Sequence, residues 1–321
     1  VHSIFGENPY ELKEIINRWM LGKNDQLKEL RKKTGKDIQL PLIPTDSIVM
    51  KIDEEAVRRS GMKIPEALGD SIPEYMTITL RDANGSPKRA LYKNELMMLE
   101  MLANANWERP IYMAITVGGE NHLGMGNHFT QEGLAYRFTP FDTDKLDSKI
   151  DSEKMYDNLM FKFGGIDQPG IYIDENVMRM CYTHRRIFTQ LVGQLIKEGK
   201  KDKALAALDY AEKVIPAYNV PYDWANGAFQ MAESYYPLGQ NEKANKIIDD
   251  LANKSLEYMI WYLSLNDNQL AIAGENFVYN ASLLDAEIRL MEKYKSEKLA
   301  KHYSEQLDQL YNEYVTRMKG K

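Results

Sequence analysis

Leu191, Leu195, Gly199, Ala204, Leu208, Ala211 and Pro216 form a pattern. It returns 40 residues on (231 − 191) as Met231, Tyr235, Gly239, Ala244, Ile248 and Leu251. Self-similarity at a fixed period is the mark of stacked helical pairs, and it narrows the fold of a chain more than any local propensity does. Ala204 and Ala244 are small enough to let two helices approach closely. Gly199 and Gly239 end the first helix of each pair, and Pro216 follows the second. The spacing is tetratricopeptide-like, stretched beyond the usual period of about 34 residues by longer helices or loops. Residues 274–294 and 296–318 read as a third, degenerate pair that caps the array. Such repeats need neighbours to bury their faces.

The chain before the repeats follows another rhythm. Residues 9–34 read as two short polar helices, with Pro9 in a first turn and Leu12, Ile15, Ile16 and Met20 at helical spacing. Thr34-Gly35 ends the second. Ile48, Met50 and Ile52 alternate with Val49 and Lys51, and Met76, Ile78 and Leu80 with Thr77 and Thr79, giving two strands. Between them, residues 54–74 carry Gly61, Pro65, Gly69 and Pro73 and read as mostly irregular. Residues 91–104 predict a helix that is apolar nearly all round and therefore buried. Ile111, Met113, Ile115 and Val117 alternate with Tyr112, Ala114 and Thr116, so both faces of a strand over 109–117 are largely apolar, as in a central strand. A Gly-rich turn, a short helix and a strand over 134–138 follow, and Pro140 stops the last. Gly164, Gly165, Pro169 and Gly170 then mark a boundary. The expected fold is α+β: a small mixed α/β layer with a mixed sheet over 1–168, then an all-α tetratricopeptide-like superhelix over 169–321.

The run Asn106-Trp107-Glu108-Arg109-Pro110-Ile111-Tyr112, followed by Gly133-Leu134-Ala135-Tyr136-Arg137, resembles the soluble C-terminal region of a bacterial family of multi-pass membrane proteins. That family carries the label domain of unknown function 2723 and is related to protein O-mannosyltransferases. The likeness continues through Pro169-Gly170-Ile171-Tyr172-Ile173-Asp174-Glu175-Asn176 and Val220-Pro221-Tyr222-Asp223, spanning about residues 90–260. It implies that membrane-spanning helices lie upstream and that the chain sits on the periplasmic side of the inner membrane. It also implies that the catalytic acids of such transferases lie in the membrane part rather than here.

Composition excludes some functions. With 41 basic against 47 acidic residues the net charge is −6, which argues against a nucleic-acid partner, since that needs a basic face. No run of 18 apolar residues exists, so nothing here reads as a membrane-spanning helix, and no stretch of the given sequence reads as a signal peptide. The one cysteine, Cys181, lies in an apolar helical stripe and reads as a buried thiol.

Few residues suggest chemistry. Gly118-Gly-Glu-Asn-His-Leu-Gly-Met-Gly126 stands between a strand and an expected helix, where backbone N–H groups can face an anion. Yet Met125 and Gly126 follow Gly124 where a phosphate loop needs Lys and Ser or Thr, and Phe129 replaces the third glycine of a dinucleotide fingerprint. His128 and Glu132 are four apart and read as sharing a helix face, with His122 and Glu120 nearby, but no third ligand at helical spacing completes a metal site. Asp142, Asp144, Asp147 and Asp151 imitate a cation loop, but Leu146 and Asp147 occupy its fifth and sixth places. Trp107 and Arg109, flanking Glu108, read as a local clamp; Trp107 reads as an anchor of the core edge, with sugar stacking as its alternative role. His184 reads as a core-edge histidine. No cofactor and no metal are implied.

The aromatic residues Tyr218, Tyr222, Trp224, Tyr235, Tyr236, Tyr258, Trp261 and Tyr262 cluster around the repeats. A concave helical surface lined this way suits an extended peptide or a glycan chain. The candidate ligand-contacting residues are therefore Trp107, Arg109, Asn121, His122, His128, Glu132, Tyr222 and Trp224. The expected function is a non-catalytic extracytoplasmic domain of a membrane glycosyltransferase-like protein. It binds or positions a protein or glycan acceptor and is continuous with a membrane-embedded part of the same polypeptide. The alternatives are a free-standing tetratricopeptide-like interaction scaffold and a soluble enzyme with its site at 118–132.

Overall fold

The computed structural model describes residues 11–20, 25–36, 45–65, 68, 71–82 and 84–319. Pro9 and Gly69 lie outside them. The chain divides into two compact units, Val1–Met155 and Tyr156–Lys321.

The first unit opens with α1 (Leu12–Glu14), continued as a π-helical stretch to Met20, and α2 (Asp25–Thr34). Strands β1 (Ser47–Lys51) and β2 (Tyr75–Thr79) pair antiparallel, with Met50 opposite Met76 and Ile48 opposite Ile78. These four side chains are buried, while Thr77 on the other face of β2 is exposed. Residues 54–59, expected to be irregular, form helix α3 (Glu54–Arg59). Its ends follow helix rules: the Asp53 carboxylate accepts from the Ala56 N–H at 3.0 Å, Glu54 and Glu55 fill the first turn, and Arg58 and Arg59 fill the last.

Helix α4 (Lys93–Ala105) buries only the face carrying Glu95, Leu99, Leu102 and Ala103. Met97 and Met101 are 61% and 56% exposed, which corrects the expectation of a helix buried all round. Only the face carrying Leu99, Leu102 and Ala103 enters the core cluster, and the outer methionines fall off it.

Strands β3 (Tyr112–Ala114), β4 (Phe129–Gln131) and β5 (Ala135–Phe138) form a second antiparallel sheet in the order β3-β5-β4. The apolar run at 109–117 thus supplies an edge strand, and β5 is central. Among the described residues there are two small antiparallel sheets, each with one isolated parallel bridge (Glu11 to Val49, Gln131 to Ile150), in place of one mixed sheet. Sheets this small keep a face or an edge exposed, which antiparallel pairing allows and parallel pairing does not. The expected short helix between the strands is a pair of 3-10 turns, Gly119–Asn121 and Gly126–His128. Leu12, Ile48, Ile78, Leu99, Leu102, Trp107, Phe129 and Phe138 are central to the core, and each large buried apolar side chain stabilises it by roughly 1.5–3 kcal/mol. Helix α5 (Ser152–Leu159) follows.

The second unit is helical throughout: α6 (Glu175–Lys197), α7 (Lys201–Val214), α8 (Ala228–Tyr235), α9 (Asn241–Leu263), α10 (Asp267–Ile272), α11 (Gly274–Lys293) and α12 (Glu297–Lys319). Helix α6 packs on α7, α8 on α9, α9 on α11 and α11 on α12. The repeat is visible in its turns. Gly199 and Gly239 both stand at φ +75°, and the next N–H reaches back to Leu195 O and Tyr235 O at 2.9 and 3.0 Å. This is a left-handed helix cap. It occurs a third time at Lys295, φ +60°, where Ser296 N–H reaches Met291 O at 2.8 Å. Ala204, Ala244 and Ala300 each follow five residues after the cap and are buried. Helices α9 and α11 have 23 and 20 residues, against 14 and 8 in α7 and α8, while α6 and α12 have 23 each.

Candidate functional site

In the first unit the predicted site residues separate into different environments. Trp107 is buried; its ring stacks on Phe138 at 5.6 Å and its indole N–H donates to Lys51 O at 2.9 Å. Its φ of +61°, unusual for a bulky residue, is held by these contacts, and the ring is spent inside the core. Arg109 is exposed beside a void of about 10 Å³ that Trp107, Ile111 and Phe138 also line. Asn121 is exposed and donates to the Glu120 carboxylate at 3.2 Å.

His128 and Glu132 do not share a helix. His128 ends a 3-10 turn and Glu132 follows strand β4. Burial pushes the His128 imidazole below its ordinary pKa, with Asp142 opposing. The buried Glu132 carboxylate accepts from Tyr112 Oη at 2.7 Å, Lys154 Nζ at 3.1 Å and Arg137 Nη1 at 3.5 Å. Burial and this carboxylate together raise the Tyr112 pKa. Arg137, itself buried, also donates to Ser60 O at 2.8 Å, and Lys154 to Gly61 O at 2.5 Å. Glu132 thus ties the second sheet to the end of α3 and the start of α5.

The Gly-rich turn borders a groove of about 480 Å³ lined by Arg81, Asp82, Glu120, His122, Asp144 and Lys149 among others. Its carboxylates oppose an anion. Lys149 pairs with Asp144, and Arg81 donates to Gly85 O at 3.1 Å. His122 lies with its ring against Phe129 at 5.0 Å, and neither His128 nor Glu132 lines this groove. Asp142 accepts from Asn127 Nδ2 and the Asp144 N–H, so it caps a 3-10 turn. Among the described residues no group of three or more His, Cys, Asp or Glu is placed to hold a metal.

In the second unit the aromatic residues divide sharply. Tyr222 is buried, with the Arg185 guanidinium 5.1 Å over its ring and its hydroxyl on Glu212 at 3.2 Å. Tyr235 donates to Glu212 at 2.8 Å and lies 3.0 Å from Asp209, and Tyr236 stacks on Tyr294 at 4.2 Å. Burial, then these carboxylates, push the Tyr222 and Tyr235 phenols far up. Those rings are repeat core. Arg185, which no sequence signal singled out, donates to Ile215 O, Val220 O and Pro221 O at 3.1, 2.8 and 3.3 Å. It holds the loop that carries Val220-Pro221-Tyr222-Asp223. Its partners are carbonyls rather than acids, so charge pattern gave no hint of it. Cys181 is buried, and burial raises its thiol pKa.

Trp224, Tyr258, Tyr262 and Tyr279 instead line a groove of about 330 Å³ between α9 and α11. Trp224 is half-buried and packs on Phe229 at 4.0 Å. At its end of the groove Lys254 Nζ pairs with Asp223 at 2.7 Å. In the wall stands Glu287, fully buried. Ser255 Oγ donates to its Oε1 at 3.4 Å, while Oε2 has no partner. Burial pushes the Glu287 carboxyl up to about 8, with the Ser255 hydrogen bond acting against that trend. An aromatic lining with a few convergent polar groups and one perturbed acid is the usual character of a ligand site.

No helix among the described residues is long and apolar enough to cross a membrane. No curated protein matches the chain, and no solved structure matches it. Residues 2–155 match the family model of TMEM260-associated domain 2, a domain family of unknown function, and the match ends at the last residue of the first compact unit.

Proposed function

We propose that this chain is a non-catalytic extracytoplasmic part of a membrane glycosyltransferase-like protein, in which the helical unit binds or positions a protein or glycan acceptor. The groove between α9 and α11 carries this reading: its aromatic rings are exposed enough to meet a ligand, and polar groups from both walls line it. The membrane setting is supported by the name of the family whose model fits residues 2–155. The transferase setting, and its periplasmic side, rest on the likeness of residues 106–137, 169–176 and 220–223 to the transferase-related membrane family.

The test is an acceptor-modification assay on membranes containing the full-length protein. Substituting Trp224→Ala together with Tyr279→Ala is expected to raise KM for acceptor several-fold with kcat little changed, the pattern of lost uniform binding. Unchanged kinetics in a folded double variant refute the role of the groove, and a membrane preparation with no transferase activity on any acceptor refutes the setting.

A further inference from the structure

Glu287 occupies a position that the repeat reserves for an apolar side chain. Counted back from each helix cap, it takes the place of Leu191 and Met231, and all three are buried. A carboxyl there costs stability unless its oxygens are satisfied, and Oε2 is not. The nearest cation in the groove, Lys254, is committed to Asp223. The wall around the acid is built for an occupant. On α11, Asn276, Asn280 and Glu287 follow one helical face, and on α9, Ser255, Tyr258 and Tyr262 face them across the groove.

We propose that this groove takes an extended protein segment bearing one basic side chain, a lysine or arginine, with Glu287 as the buried counter-ion. The inference rests on the binding role proposed above only in taking the groove as a ligand site. Three features select this occupant. First, a neutral hydroxyl on Oε2 gives one ordinary hydrogen bond, whereas an ammonium or guanidinium makes a charge-assisted one. Second, the rings of Tyr258, Tyr262 and Tyr279 add cation–π attraction and contact for the aliphatic stem. Third, from Asn276 to Glu287 the face runs roughly 16 Å at the helical rise, about five residues of extended chain. Side-chain amides such as Asn276 and Asn280 have the donor and acceptor needed to pair with its backbone. That length suits a segment better than a single sugar.

Binding is coupled to protons. The cation meets the ionised acid, so each complex formed below about pH 8 releases a proton. Affinity is expected to rise up to tenfold per pH unit towards pH 8 and then level off. The other titratable groups around the acid are Lys254 and Asp223 in the groove, Tyr258, Tyr262 and Tyr279 on its walls, Asp249 and Asp250 further back along α9, and Tyr303 on α12. The Glu287→Gln variant separates their contributions from that of Glu287.

The experiment is calorimetric titration of the whole chain at pH 6, 7 and 8.5 in two buffers of different ionisation enthalpy. The probes are acetyl-Ala-Ala-Lys-Ala-Ala-amide, its arginine and norleucine counterparts, and methyl α-glucoside. The expected result is at least tenfold tighter binding of the lysine or arginine peptide than of norleucine, with proton release below pH 8. In Glu287→Gln, checked for helicity by circular dichroism, both the preference and the proton release should vanish. Equal binding of lysine and norleucine, pH-independent binding, or binding of the glucoside alone overturns the proposal. A positive titration beside unchanged transferase kinetics in the Trp224/Tyr279 variant leaves the inference standing and refutes the role in transfer.

Discussion

Glu287 sets a pH dependence of stability with an unusual sign. Its carboxyl ionises near 4.5 in an unfolded chain and near 8 in the folded one. Between these values the native state holds a proton that the unfolded state has lost, so stability falls as pH rises through this window and is flat above it. A shift of this size costs roughly 4–5 kcal/mol at pH 8. Glu287→Gln is expected to melt higher than the parent at pH 8 and close to it at pH 5, which thermal unfolding followed by circular dichroism at both pH values will check. Glu132 is the opposite kind of buried acid. Arg137 and Lys154 answer it, so Glu132→Ala leaves a buried guanidinium with the Ser60 carbonyl as its main remaining partner. A loss of about 3–5 kcal/mol is expected for breaking one side of a buried pair, read as a lower urea midpoint.

At the level of elements, the three helix caps form an internal series. Gly199 and Gly239 adopt the left-handed conformation at little cost, and a Cβ added at either would meet no neighbouring atom within 4 Å. Gly239→Ala therefore introduces backbone strain alone, about 1 kcal/mol. Lys295 already bears that strain, so Lys295→Gly is expected to stabilise the chain by up to about 1 kcal/mol. Chemical denaturation of both variants checks the pair. The caps also show what a repeat pattern conveys. Gly199, Ala204, Gly239 and Ala244 were readable because glycine and alanine mark the turn and the close approach. The third unit broke the code by placing Lys295 in the turn and Glu287 in the core, while Met291 and Ala300 kept it. Strand order was harder to read. The apolar alternation at 111–117 looks central, but which strand lies between the others depends on pairing partners, and those are not written in a strand's own periodicity.

For the whole molecule, 47 acidic against 41 basic residues leave no net attraction for a polyanion. The chain is expected to pass through a heparin column unretained at about 0.15 M salt, since binding to polyphosphate-like surfaces is driven by counterion release from a basic face; retention would reveal a basic patch strong enough to overcome the net charge. The α+β character and the helical second half were legible from periodicity. The groove was legible only in part. Trp224, Tyr258 and Tyr262 belonged to the aromatic cluster, but Tyr222, Tyr235 and Tyr236 looked the same in sequence and lie in the core. Composition cannot tell a ring that packs from a ring that waits.

The unequal helix lengths carry one more consequence. Aligned on their caps, α9 outruns α7 after Lys254, and α11 begins ten residues ahead of α8. Ser255, Tyr258, Tyr262, Asn276, Tyr279 and Asn280 all lie on these overhangs, which α7 and α8 lack, while α6 and α12 reach comparably far from their own caps. On the proposed binding role, the caps and alanines are the scaffold and the groove between α9 and α11 is the recognition surface. The overhangs can be rewritten to suit another guest while the caps and alanines keep the helices stacked. Glu287 alone belongs to both, a hinge pin between architecture and selectivity.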